Sequence, residues 1–398
     1  MAADNMPAAG LLDDRVRLYL GGHEIPITES YEVSRSILTQ PSTFSARLGW
    51  GGVVADLLSV LIPGTPFELR INDAPLFTGV LDDIDASGEV GATEITIYGR
   101  DSLAPMHDAF VEQEKDYSDS TYAELVDAAF DATLDRTFSV VYSNASNRKL
   151  VTKISIPEAA PATPAPGETP DPGALATKSA KRALKSHIGE RWYEFVKREL
   201  DRAGLFLWAG ADGVFILSAP KTDQPAAYRI LRRRGQTRNA VSVISMHFRN
   251  HTSGRYSEAI LHARGGGKKA GRSRIKGDAT DAEMSDYGFK RPLVLTDSNI
   301  TNADQAAFYA RRKLAETRRL GWSLVYTVAG HTIPSLLESG KRATWSPDTM
   351  VEVDDQELGV KGTFYIEKVV YKRGPATTCE LTLSRVADMV FGKVDQEQ

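Results

Sequence analysis

The sequence predicts a mainly β protein with α+β insertions, built on two antiparallel β-barrel domains related by internal duplication. Three observations predict it. Residues 14–107 and 223–392 carry short runs of alternating apolar and polar side chains broken by Gly, Asn and Asp, the pattern of half-buried strands. Two distant stretches close alike, "EITIYGRDSLAPM" at 94–106 and "ELTLSRVADMVFG" at 380–392. Between them apolar residues recur at helical spacing, so helical material interrupts the β pattern.

The first β domain is placed at 14–107. "RVRLYLGG" and "HEIPI" flank a Gly-Gly turn, and "STFSARLGW" puts Phe44, Ala46 and Leu48 on one face. "TPFELRINDAPLFTGVLDDIDASGEVGATEITIYG" reads strand, Asn-Asp turn, strand, Gly-rich turn, strand, with Ile95 and Ile97 facing one way and Thr96 and Tyr98 the other. "GGVVADLLSVLIPG" (51–64) interrupts it with one short helix or a buried loop.

A small insert follows at 108–155. Tyr122, Leu125, Val126 and Phe130 lie near helical spacing over 120–134, with Ser120 or Thr121 as N-cap. Residues 156–181, rich in Pro and Ala, form an extended linker or loop. An α+β module spans 182–222. Trp192, Phe195, Val196 and Leu200 make an apolar helical stripe, Gly204 stops the helix, and "LFLWAGADGVFIL" folds back as a hairpin.

The second β domain is placed at 223–392. Its strands are read in "AYRIL", "VSVISMHFRN", "SEAILHAR", "GWSLVYTVAGH", "TMVEVDD", "GTFYIEKVVYKRG" and "TTCELTLSR". A polar basic loop at 263–277 and a helix at 303–320 interrupt them. Its last part repeats the first domain. Phe67-Glu68-Leu69 matches Val351-Glu352-Val353, each pair is followed by an acidic turn, and each stretch closes on Glu-apolar-Thr-apolar with a small insertion in the second copy. Three chains with two like domains each would set six similar units around one axis, so a threefold object could stack on a sixfold ring.

Composition excludes several classes. Hydrophobic residues make up 42% and charged residues 25% of 398, enough for more than one core. The net charge of −4 argues against a chain that binds polyanions as a whole. No apolar run approaches the ~20 residues of a membrane-spanning helix. The opening "MAADNMPAAGLLDD" lacks the basic and apolar regions of a secretory signal. Cys379 is the single cysteine, so neither an internal disulfide nor a thiolate metal cluster can form.

Candidate chemistry is sparse. Asp82, Asp83 and Asp85 could form a carboxylate pair or cation ligands, but they lack calcium-loop spacing and sit at a strand–turn junction, where solvated acids or intersubunit ion pairs are the plainer reading. His247 and His251 would face each other on a helix, but the segment reads as a strand end, which holds them about 13 Å apart. No nucleophile elbow, P-loop or dinucleotide fingerprint occurs. Two basic clusters remain, one with Arg232, Arg233 and Arg234, the other with Lys268, Lys269, Arg272 and Arg274. They could touch the phosphates of passing DNA. Without interleaved aromatics, a solvated loop or a match to an acidic partner is favoured. No catalytic residue, metal or cofactor is expected.

Residues 310–385 resemble the C-terminal part of the baseplate hub proteins of contractile-tailed phages, of the phage Mu type. The shared pattern is a basic helix, Thr327 to Gly330 as T-V-x-G, Trp345 before Pro347, Val351 to Asp355 as V-x-V-D-D, the Leu358 to Gly362 turn, Ile366 to Val369, and a closing T/E-L-x-L strand. "KRPLVLTDSNIT" (290–301) also fits. The likeness covers roughly 225–392 and the "GTPFELRIND…FTGVLDDI" block, and is poor between them. Such hubs are similar to the first half of the type VI secretion spike protein.

The resemblance implies a non-enzymatic virion protein: a homotrimer of chains with two tail-tube-like barrels each, joining the hexameric tail tube to the trimeric central spike and nucleating baseplate assembly. Implied partners are the tube protein or a tube-terminal adaptor, the spike, wedge or sheath-proximal baseplate proteins and the tape measure, with DNA in transit and no stable membrane association. Implied localisation is the tail baseplate, assembled in the host cytoplasm. A cell-wall hydrolase carrying a hub-like barrel, and a hub of a tailocin or other injection machine, are the alternatives. The 156–181 segment departs from the family.

Overall fold

The computed structural model describes residues 14–25, 29–49, 61–89, 92–134, 139–143, 153–157, 177–181, 184–234, 243–264, 274–297, 300 and 303–389. The expected helix or loop at 51–64 falls almost wholly outside them. The chain is mainly β with antiparallel ladders. The first region holds β1 (Val16–Leu20), β2 (His23–Ile25), β3 (Ser30–Ser36), β4 (Thr43–Gly49), β5 (Pro66–Ile71), β6 (Ala74–Glu89) and β7 (Ala92–Asp101). In β4 the expected face, Phe44, Ala46 and Leu48, is buried, as are Ile95 and Ile97 of β7.

The inserted region packs around a core of its own. The helix Tyr122–Thr133 starts on a capping box, in which the Thr121 hydroxyl accepts from the Glu124 N–H and the Glu124 carboxylate accepts from the Thr121 N–H. β8 (Val140–Tyr142) follows, then β9 (Lys153–Pro157) and β10 (Thr177–Lys181), which pair antiparallel with each other. The Pro/Ala-rich residues 158–176 between these two strands lie outside the described residues. The helix Trp192–Ala203 ends at Gly204, which takes the left-handed conformation expected of a stop. β11 (Phe206–Ala209) and β12 (Phe215–Ser218) form the hairpin, and β8 adds parallel to β12. Residues from both sides of the Pro/Ala-rich stretch share one hydrophobic cluster, with Phe130 stacked on Phe215 at 4.1 Å.

The second region holds β13 (Ala226–Arg232), β14 (Val243–Asn250), β15 (Glu258–Arg264), β16 (Arg274–Thr280), β17 (Pro292–Thr296), the helix Ala303–Gly321, β18 (Trp322–Ala329), β19 (Thr332–Pro334), β20 (Arg342–Thr344), β21 (Thr349–Asp355), β22 (Val360–Arg373) and β23 (Thr377–Arg385). β15, β16 and β17 form a separate small sheet under the helix. Ion pairs tie that sheet to the closing strand: Arg255 meets Asp281 at 2.9 Å and Glu283 at 2.8 Å, and Arg385 meets Glu283 at 3.3 Å. The Arg255 hydrogen bond is the main reason the Glu283 carboxyl is held down to about 2.

The remaining long strands join in one 13-stranded sheet in the order β14-β18-β23-β22-β3-β4-β7-β6-β5-β1-β2, with β21 on β22 and β13 on β21. Among the described residues the sheet is open, not closed as two separate barrels. Within it lie two five-stranded sets with the same pairing order, β3·β4·β7·β6·β5 and β14·β18·β23·β22·β21. Each carries a bulge at the same place, between Leu81 and Asp83 in β6 and between Ile366 and Lys368 in β22. Aligning the bulges sets Gly99 on Leu383 and Ile97 on Leu381, while Phe67 still falls on Val351. The sequence match of Glu94 with Glu380 is therefore two residues out of structural register. The face is unaffected, because an even slip preserves it.

The two sets meet where β22 pairs with β3, Lys368 opposite Ser36 through to Arg373 opposite Tyr31. One hydrophobic cluster runs across this seam. A buried polar group pins it. His331 Nε2 lies 2.6 Å from the Tyr31 hydroxyl, its Nδ1 lies 3.2 Å from Cys379 Sγ, and its backbone N–H donates to Asp14 at 2.7 Å. Asp14 also accepts from the Thr332 hydroxyl at 2.8 Å.

Burial pushes His331 down from 6.5 to about 4. The unfolded chain therefore takes up that proton first as pH falls. The stability linked to His331 is complete above pH 6.5, is lost as pH drops toward about 4, and is flat below. Urea unfolding across that window should show a steeper acid loss for the wild type than for His331→Gln. A second prediction concerns close packing. A Cβ on Gly99 would meet Phe67 Cε1 at 2.5 Å and the Val80 carbonyl oxygen at 2.7 Å, where Phe67 lies over the strands and stacks on Phe44 at 4.7 Å. Gly99→Ala should cost about 1–3 kcal/mol in denaturant unfolding through overpacking.

Candidate assembly surfaces

The large sheet has two unlike faces. Period-two alternation sends Phe44, Leu48, Ile97, Tyr326 and Leu381 into the core. The other face shows Glu32, Ser45, Arg47, Thr96, Tyr98, Lys372 and Thr378, which line an open groove across the seam. Its charges are of both signs and pair across strands: Arg47 with Glu94 at 2.9 Å, and Lys372 with both Glu32 and Glu380 at 3.6 Å. Such a surface is wet and neutralised in place, with no strong field of one sign.

The bulge positions carry matching polar pairs. Asp82 accepts from Arg100 at 2.6 and 2.8 Å, and Glu367 accepts from Ser384 at 2.5 Å, with Arg100 and Ser384 at equivalent positions of the closing strands. Sequence reasoning singled out Asp82 with Asp83 and Asp85 but missed this structural role. Arg100, six residues after Glu94 in the repeated stretch, was the available signal. Asp83 and Asp85 are exposed on the strand after the bulge and come into no metal-binding group. His247 lies within β14 and His251 just beyond it, as the strand reading expects. No cluster of three or more His, Cys, Asp or Glu suited to a metal occurs among the described residues.

The first basic cluster lies at the end of β13, which runs parallel to β21 and sets basic side chains beside acidic ones. Arg232 pairs with Asp355 at 3.4 Å and with Glu357, and Arg233 with Asp354 at 2.7 Å. The Arg234 backbone N–H donates to the Gln356 side chain at 3.4 Å. Asp355 is fully buried and also accepts from the Tyr326 hydroxyl at 2.9 Å, which makes Arg232 part of the fold. Of the second cluster, Lys268, Lys269 and Arg272 lie outside the described residues, and Arg274 opens β16.

Within the two five-stranded sets, two strand edges have no neighbour among the described residues. β14 pairs only with β18, and Ile244 and Phe248 on it are exposed. β6 pairs with β5 only up to Val80, so residues 83–88 have β7 on one side and no described partner on the other. An unpaired edge is a row of free backbone donors and acceptors.

No protein-family model matches this chain, and no curated protein matches it by sequence. Solved structures do match. The 43 kDa tail protein of prophage MuSo2 from Shewanella oneidensis is similar with a TM-score of 0.71 and 17% identity, over 94% of this chain and 99% of that one. A tail protein from Neisseria meningitidis MC58 has a TM-score of 0.71 and 20% identity, over 94% and 98%. The Escherichia coli c3393 protein, a component of the type VI secretion system with structural similarity to T4 tail proteins gp27 and gp5, has a TM-score of 0.50 and 9% identity, over 97% and 78%. The chain has the fold of phage tail proteins, shared with type VI spike components. The resemblance to Mu-type hubs read from the sequence holds at the level of fold. No described helix is long and apolar enough to cross a membrane.

The partly exposed Arg233–Asp354 pair should be energetically minor. Replacing Arg233 and Arg234 by Gln should change unfolding stability by about 1 kcal/mol or less, and retention on duplex DNA at physiological salt should be the same for variant and wild type.

Proposed function

We propose that this protein is a trimeric baseplate hub, a structural tail protein that joins a hexameric tail tube to a trimeric central spike and nucleates tail assembly. The observation that carries the proposal is the pair of five-stranded sets with one pairing order and one bulge position. It supports descent from a duplicated tube-like unit, and the fold likeness to prophage tail proteins gives that unit its setting. Three chains then offer six like units to the tube and a threefold body to the spike. The remaining partners are wedge or sheath-proximal baseplate proteins, the tape measure and DNA in transit past the mixed-charge face. A phage or a tailocin could house such a hub.

The hydrolase alternative asks for a carboxylate constellation in 108–222. Two of the acids there are engaged in the fold: Glu124 closes the capping box and Asp127 accepts from the Tyr142 hydroxyl. Light scattering of the full chain should give about 130 kDa, three chains of 43.5 kDa, and peptidoglycan should remain undegraded. A monomer at every concentration, absent from assembled tails, overturns the proposal.

A further inference from the structure

The chain itself shows what each open edge fits. In the seam, the half of β22 after its bulge runs antiparallel to β3, with Lys368 opposite Ser36, Val370 opposite Ser34 and Tyr371 opposite Val33. The ladders of the two sets carry Lys368, Val370 and Tyr371 onto Asp83, Asp85 and Ala86 of β6. They carry Ser34 and Val33 of β3 onto Arg249 and Phe248 of β14, and Ser36 onto His251 just beyond it. Both sides of the internal seam therefore have counterparts, and those counterparts are the open edges of β6 and β14.

We infer that residues 83–88 of β6 pair antiparallel with β14 of a second copy of this chain, in the register of the internal seam. Asp85 then faces Arg249, Ala86 faces Phe248, and Asp83 faces His251. Two features of the edges support this register. Opposite charges meet at Asp85 and Arg249, where the internal seam has the uncharged pair Val370 and Ser34. Phe248, 38% exposed, takes the place of Val33, which is fully buried in the seam, so the same pairing would cover it. The contact is head-to-tail, because one set's β6-type edge always meets the other set's β3-type edge, and a contact of that kind closes into a ring when its rotation divides a full turn. Ring closure at three copies rests on the trimeric hub reading. The strand pairing itself does not depend on the number of copies.

Paired cysteines in the full chain test it. Asp85→Cys with Arg249→Cys, and Ala86→Cys with Phe248→Cys, sample adjacent positions, which alternate between wide and narrow in an antiparallel ladder. At least one of these double variants should yield disulfide-linked trimers on mild oxidation, while the single variants and the out-of-register pair Gly88→Cys with Arg249→Cys should not. Native Cys379 is buried and does not compete. Asp85→Arg and Arg249→Asp should each weaken assembly about tenfold by placing like charges face to face, and together they should restore it. A trimer that forms normally, is linked by neither pair and shows no rescue overturns the strand pairing and leaves the hub reading intact. An unsubstituted chain that stays monomeric overturns both.

Discussion

The fold depends on how its strand edges are satisfied. A β edge buried without partners leaves backbone groups unpaired at a cost of several kcal/mol. β22 resolves this for the first half of the molecule. Its fourteen residues serve two neighbours in turn on one side, β21 before the bulge and β3 after it. The bulge makes the division workable, since an extra residue bends the strand and re-aims the residues beyond it. Glu367 sits at that bend, held by Ser384 and by Arg319 at 3.1 Å. With β3 covered, Val33 and Tyr31 become core, and His331 can be buried against Tyr31 and Cys379 without a charge.

Much of this was legible in the sequence. Alternation in "STFSARLG" gave the buried face of β4, Gly204 marked the helix end that the backbone uses, and of the two N-caps read, Ser120 or Thr121, the backbone uses Thr121. The likeness of the two strand sets was visible because both closing strands keep apolar residues at every second position. Its register was not, because period two cannot distinguish a match from one slipped by two residues. The bulges that set the register depend on pairing with another strand and leave no local mark. The same limit hid the acidic partners of Arg232 and Arg233, which lie across a parallel ladder more than a hundred residues along the chain. Clustered arginines read alone look like a phosphate site. Set beside Asp354 and Asp355 they are half of a cross-strand charge match.

The inserted modules leave the sheet's pairing order intact. The region from Ala104 to Ser218 leaves after β7 and builds its own core, and the β15–β17 sheet leaves after β14 and returns through the helix Ala303–Gly321 into β18. Each excursion begins and ends at strand termini, so the ladders on either side are undisturbed. Gly277 permits the return, since a Cβ there would collide with the backbone of Ala306 at 2.1 Å.

The two sets are alike in order and unlike in dress, and that difference bears on the proposed role. On the outer side β5 receives β1 antiparallel, while β21 receives β13 parallel. The β15–β17 sheet hangs on the second set alone and is tied to its closing strand through Arg385 and Glu283. A ring of these units would look sixfold to a neighbour that touches only the shared ladders, and threefold to one that also touches the insertions. Duplication followed by unequal decoration would thus let one chain meet two symmetries. The requirement this places on the sequence is that the core ladder keep one shape in both halves, as the common bulge and the shared buried positions Leu81 with Ile366 and Ile97 with Leu381 indicate, while the outer strands are free to diverge.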